Sequence, residues 1–176
     1  MLNTIIVVIV VLLAGVLGYA ATRPDSFSIQ RSITIKAPPE KIYSRIADFH
    51  QWGEWSPWEK LDPAMQRSFS GADSGPGAVY AWDSKGKAGA GRMEILPATT
   101  PTSIVIQLDF LRPLKNRNTA TFTLQSQGDS TTVTWVMAGP SPYISKLMGL
   151  FFNMDKLIGA DFETGLANLK RIAEQQ

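Results

Sequence analysis

"RSITIKAPPEKIYSRIADFHQWGEWSPW" runs from Arg31 to Trp58, and three kinds of local order follow one another along it. Together with the residues just before it, the stretch starts as "FSIQRSITIKA". Phe27, Ile29, Ile33 and Ile35 fall on one side and Ser28, Gln30, Ser32, Thr34 and Lys36 on the other, the period of two of a half-buried strand. Arg31 interrupts the apolar side. It reads as a residue reaching solvent or a nearby carboxylate, with a polar contact inside a cavity as the alternative. Pro38 and Pro39 then suit the first turn of a helix, Glu40 complements its N-terminal dipole, and Ile42, Ile46 and Phe49 recur at helical spacing. The helix fails near Gly53 and Pro57. There "HQWGEWSPW" gathers three of the five tryptophans and the one histidine. The stretch reads as a structural hook in which Trp52, Trp55 and Trp58 bury large rings, each indole N–H needing a partner. An active site is the competing reading, but His50 has no partner visible in the sequence.

Downstream, six short runs read as strands: "MQRSFSG", "GAVYAW", "GRMEIL", "SIVIQLDF", "NTATFTLQ" and "TTVTWVMA". The breaks between them are rich in Gly, Pro, Ser and Asp, and "QGDS" at 127–130 is the clearest hairpin. With the first strand the count is seven. Consecutive strands on short loops imply a bent antiparallel meander. The period then changes. "ISKLMGLFFNM" reads as a short helix, for which simple packing is expected over a lid or a membrane-surface contact. Finally Ile158, Phe162, Leu166, Leu169 and Ala173 form one stripe of a long helix, which must lie across the concave face of the sheet to bury it. Gly159 and Gly165 inside that helix each cost roughly 1 kcal/mol against alanine. Close approach to the sheet is the expected reason, and room for a ligand the other.

Upstream lies a different solvent. "IIVVIVVLLAGVLGYAA", Ile5 to Ala21, carries no charge, and from Leu2 the run reaches roughly 30 Å as a helix, enough to cross a hydrocarbon core. No basic residue precedes it and it exceeds the usual signal-peptide core, so residues 1–22 read as an uncleaved transmembrane anchor, with a signal sequence as the alternative. Residues 23–26 form a linker, and 27–176 the remaining domain. Arg23 alone does not fix the orientation.

Composition removes several function classes. The formal charge of +2 is nearly balanced, and no basic stripe suggests nucleic acid. Cysteine is absent, so disulfides, thiolate zinc sites and thiol catalysis are excluded. One histidine, no "GxSxG" and no acidic calcium loop leave no hydrolase triad and no metal site. "GKAGAG" at 86–91 joins two strands and reads as a hairpin, not a phosphate loop. Proton-transfer catalysis needs only a positioned acid or base. The candidates are His50, Tyr80, Arg92, Glu94, Asp109 and Arg112. Alternation puts Asp109 opposite Ile104, Ile106, Leu108 and Phe110, and puts Arg92 and Glu94 opposite Met93 and Ile95. These polar groups therefore point away from the apolar face.

"RSITIKAPPEKIYSRIADFHQWGEWSPW", together with "GAGRMEIL", "TTVTWVMAG" and "GADFETGLANLKRIAE", resembles the START-like (SRPBCC) superfamily, in its polyketide cyclase/dehydrase group, over residues 27–174. The resemblance implies an α+β helix-grip fold: a curved seven-stranded antiparallel sheet wrapped on a long C-terminal helix, here preceded by one transmembrane helix. It also implies an apolar cavity between sheet and helix. The strands would line it with Tyr80, Trp82, Ile104, Ile106, Leu108 and Phe110, then Phe122, Leu124, Val133, Trp135 and Met137. The helix would add Ile158, Phe162, Leu166 and Leu169. Relatives range from lipid carriers to aromatic cyclases, so the fold does not choose a function. The expected role is a membrane-tethered, non-catalytic carrier of a hydrophobic small molecule or lipid, with no cofactor and with ligand access near residues 141–155 or the hairpin tips. Two alternatives stay open: a small cyclase/dehydratase-like enzyme on an aromatic or polyketide-type substrate, and a membrane-anchored protein-interaction domain with a filled core.

Overall fold

The structure, a computed structural model, describes residues 2–175. It begins with an apolar helix, α1 (Leu2–Ala21), in which only Ala20 is buried. After a joint at 22–25 come β1 (Ser26–Ile35), α2 (Pro39–Ala47) and the hook. The hook is three short helical turns: a 3-10 turn at Phe49–Gln51, α3 (Trp52–Trp55) and a second 3-10 turn at Pro57–Lys60. Then follow β2 (Gln66–Gly71), β3 (Ala78–Asp83), β4 (Ala90–Leu96), β5 (Ser103–Arg112), β6 (Asn116–Gln127) and β7 (Ser130–Pro140). Two helices close the chain, α4 (Tyr143–Phe151) and α5 (Met154–Glu174).

All seven strands form one antiparallel sheet in the order β1-β7-β6-β5-β4-β3-β2. The meander from β2 to β7 is as the alternation predicts, and the first strand returns to pair with the last. The tight turn at Gly128 and Asp129 brings Gln127 opposite Ser130, and Gly128 supplies the positive φ that this hairpin needs. Burial alternates through the middle of β5, β6 and β7, so one face of each strand is core there.

α5 covers that face. Phe162, Leu166, Leu169 and Ala173 are buried and Ile158 packs partly against the core, one stripe through 21 residues. Asn153 caps the helix, its side chain accepting from the Lys156 N–H. The two glycines have separate reasons, both of them close approach. A Cβ at Gly165 would stand 3.1 Å from Trp135 Cζ3 and 3.3 Å from Pro57 Cδ, so the helix, β7 and the hook meet there. A Cβ at Gly159 would collide with the Arg31 guanidinium. Arg31 crosses from β1 to bond Glu163 through Nε (2.7 Å) and Asp155 through Nη2 (3.1 Å). It interrupts the apolar side of the strand and reaches nearby carboxylates, as expected, in place of a contact inside a cavity.

The hook packs against the end of this assembly. Trp52 Nε1 donates to Ile46 O at 2.9 Å and Trp55 Nε1 to Arg45 O at 3.2 Å, so α2 satisfies both indoles. Asn168 on α5 donates to Trp55 O at 3.1 Å. Trp55 is fully buried, whereas Trp58 is half-buried and faces a pocket. His50 is not without partners: its Nδ1 lies 3.0 Å from Asp48 Oδ1, and its ring stacks on Phe69 at 4.2 Å. It stands at the surface, outside any pocket described below.

Candidate functional site: two adjoining cavities under the terminal helices

Two spaces open on the concave side, and they share one wall. The larger holds about 940 Å³. It is bounded by α4, the start of α5, the β5–β6 hairpin and the segment 23–27. The smaller holds about 190 Å³ and lies between the hook, the strands β3 to β7 and α5. Phe110, Met137 and Ile158 border both, so these three side chains are the partition. The larger space falls in the range of small-molecule sites, roughly 300–1,000 Å³, and the smaller falls below it.

Aromatic rings explain why the deep space is small. Trp135 lies face to face with Phe162 at 4.1 Å and stacks on Phe122 at 4.7 Å. Trp55 and Trp58 meet Trp135 edge-on at 5.8 and 5.5 Å. Five rings occupy what a wide cavity would need.

The expected lining therefore divides. Tyr80, Trp82, Leu108, Phe110, Trp135, Met137, Ile158 and Phe162 border the smaller pocket, as do Trp52 and Trp58 of the hook. Ile104, Ile106, Phe122, Leu124, Val133, Leu166 and Leu169 do not border either cavity. They share the correct face, but they sit toward the end of the sheet that α2 covers, and there they are close-packed core. The segment 141–155, expected to give a ligand access, does border the larger cavity.

Polar groups around the smaller pocket are few and mostly paired. Tyr80 donates its hydroxyl to Glu59 Oε1 at 2.6 Å. Arg67 bonds Glu59 Oε2 through Nε at 2.7 Å, and its other nitrogens reach Glu59 O and Met65 O. Burial, with the Glu59 carboxylate behind it, pushes the Tyr80 hydroxyl well above the usual phenol range, so it is a donor at every working pH. Glu59 was not foreseen. It lies on a 3-10 turn, where no period marks which side faces in. Among the described residues, two further side-chain polar atoms are buried without a protein partner, Trp135 Nε1 and Asn118 Oδ1. Trp135 borders the smaller pocket and Asn118 the larger.

The other acid–base candidates stand outside both cavities. Asp109 pairs with Arg117 at 2.6 Å, and that guanidinium holds its carboxyl below the usual carboxylate range. Arg92 pairs with Glu94 at 2.7 Å, and Arg112 with Asp83 at 2.6 Å. Among the described residues no three His, Asp or Glu side chains gather as a metal site.

α4 corrects an expectation. It does not pack into the core: none of its residues is buried, and Tyr143, Ile144, Met148 and Phe151 are exposed, Phe151 by 73%. Its contacts run instead to the first helix. Tyr143 donates its hydroxyl to Leu17 O at 2.8 Å, and Lys146 pairs with Asp25. The larger cavity thus opens beside an apolar helix long enough to cross a membrane.

A family model described as polyketide cyclase / dehydrase and lipid transport matches residues 26–174. No curated protein matches the sequence. Among solved structures, protein CV1439 from Chromobacterium violaceum superposes with a TM-score of 0.60 at 16% identity, covering 88% of this chain and 100% of that one. The di-domain ARO/CYC protein BexL from the BE-7585A biosynthetic pathway gives 0.59 at 19% identity, covering 90% of this chain and 53% of its own. The Aha1 dimer from Colwellia psychrerythraea gives 0.54 at 16%, with 85% and 97% covered. At these identities the likeness is one of fold.

Proposed function

The chain belongs to the polyketide cyclase/dehydrase and lipid transport family, and from that premise we propose that it is a membrane-tethered carrier for a hydrophobic small molecule or lipid. One observation carries the reading: the 940 Å³ cavity opens where α4 is bonded to α1. A water-insoluble ligand partitions into a bilayer, and a cavity held beside that bilayer shortens its path. Affinity would come from apolar burial, at about 25 cal/mol per Å². The test is native extraction from membranes followed by mass spectrometry. A co-purifying lipid or aromatic compound is expected. No bound species, together with no uptake of lipid from vesicles, overturns the proposal.

A cyclase-type enzyme is the second reading, and the Tyr80–Glu59–Arg67 cluster is what favours it. A buried donor beside a carboxylate has the make-up of a proton-transfer pair. It ranks second because both Glu59 oxygens already accept bonds from Tyr80 and Arg67. Turnover of an aromatic polyketide-type probe that Glu59→Gln abolishes, with ligand uptake intact, would reverse the order.

A further inference from the structure

We infer that α4 and the tip of the β5–β6 hairpin lie in the interface of the bilayer that holds α1, so that the larger cavity opens into lipid and not into water. The inference rests on the carrier reading and adds to it a second membrane contact. Its first ground is the rim. Ile144, Phe151 and Phe152 on one side and Leu114 on the other border the cavity, and all four are exposed. Leu111, Met148 and Leu157 extend the same apolar surface. An apolar collar of this kind, in a chain that carries a membrane-length helix, fits an amphipathic element lying in the headgroup boundary.

The second ground is depth. Leu17, which accepts the Tyr143 hydroxyl bond, precedes the end of α1 by four residues, or about 6 Å along the axis. Interfacial helices sit about 5–10 Å into the headgroup and acyl boundary. The contact thus puts the start of α4 at the level where α1 would leave the hydrocarbon. The third ground is charge. Lys146 is the one ionic residue of α4, and its side chain is turned in to Asp25, leaving the exposed face of the helix without charge. Arg23 and Lys115 stand on the cavity rim, where anionic headgroups would meet them. Tyr19 and Tyr143 are placed as interfacial aromatic residues.

The absence of cysteine makes the test clean. The full chain bearing Phe151→Cys is labelled with an environment-sensitive fluorophore in vesicles of phosphatidylcholine and phosphatidylglycerol. Asp129→Cys is the control. It lies in the β6–β7 turn, at the far end of a 12-residue strand and so roughly 40 Å from the hairpin tip. Quenching of the Phe151→Cys label by shallow spin-labelled lipids is expected, with none at the control. If the chain floats with the vesicles but neither label is quenched, the second contact is refuted and the tether stands. A chain that does not float refutes both. Shielding that rises with protein density and ignores lipid quenchers points to a second copy on this face, and likewise overturns the inference. As an independent readout, Leu111→Asp combined with Met148→Asp, both exposed and outside the cavity lining, should slow lipid transfer between vesicles severalfold while leaving the bound ligand in place. Unchanged transfer would count against lipid at the mouth. Loss of the bound ligand itself would assign these residues to the binding site and likewise count against the inference.

Discussion

The rings of Trp135 on β7 and Phe162 on α5 lie 4.1 Å apart and 2° from parallel. Both are buried, and this stack ties the sheet to the helix. Phe162→Ala removes a fully buried ring and leaves a hole next to a pocket that already exists. The expected destabilisation is about 3–5 kcal/mol, read from the urea midpoint at unchanged slope.

The two glycines of α5 should behave oppositely. Gly165→Ala pushes a methyl to 3.1 Å from the Trp135 ring, which is held in a stack with Phe162 and Phe122, and to 3.3 Å from Pro57. Overpacking of about 1–3 kcal/mol outweighs the helix-propensity gain of about 1 kcal/mol. Gly159→Ala meets only the far end of Arg31, which swings outward. The lost pairs are exposed and worth at most about 1 kcal/mol, so the propensity gain offsets them and the melting temperature stays near wild type.

Within the hook, Trp55→Ala and Trp58→Ala should separate stability from binding. Trp55 is fully buried and tied to α2 and α5, so its truncation costs about 3–5 kcal/mol. Trp58 is half-buried on the wall of the smaller pocket. Its truncation should cost less, roughly 0.5–3 kcal/mol, and should alter which compounds co-purify. A Trp55→Ala variant that melts like wild type would show that the hook is not structural.

Acid should loosen the strap between β1 and α5. Arg31 hydrogen-bonds Asp155 and holds its carboxyl below the ordinary 3.8. A lowered folded value means the stabilisation is complete above the ordinary value and is lost as pH falls through the lowered one. Thermal melts of wild type and Arg31→Met should therefore differ at neutral pH and converge in the acid range below about pH 4. An undiminished gap there would show that Arg31 acts through packing and its bonds to the Gln30 and Asp155 carbonyls, not through the carboxylates.

Much of this was legible in the sequence, for reasons of period. Alternation in "SIVIQLDF" put Ile104 and Phe110 on one face and Asp109 on the other, and the structure agrees. What alternation does not carry is position along the strand. Ile104 is sealed beneath α2, whereas Phe110 stands on a cavity wall, and only the crossing point of α5 decides between them. Glu59 was hidden because a short turn has no repeat to read. The exposure of α4 was hidden too, because apolar composition looks the same whether a helix is packed or bare.

The strand that follows α1 has a single neighbour in the sheet, and that neighbour is β7, with Ser26 opposite Pro140. Every other strand of the meander can pair as soon as the next one exists. β1 has to wait until nearly the whole chain has been made, and it then closes a long loop whose entropy cost grows only slowly with length. The fold is therefore completed late and all at once, by a long-range pairing of the kind that makes folding slow. During that interval the two edges that will become β1 and β7 are unpaired. A newly made chain would be most open to chaperone capture or to strand-swapped association at that stage.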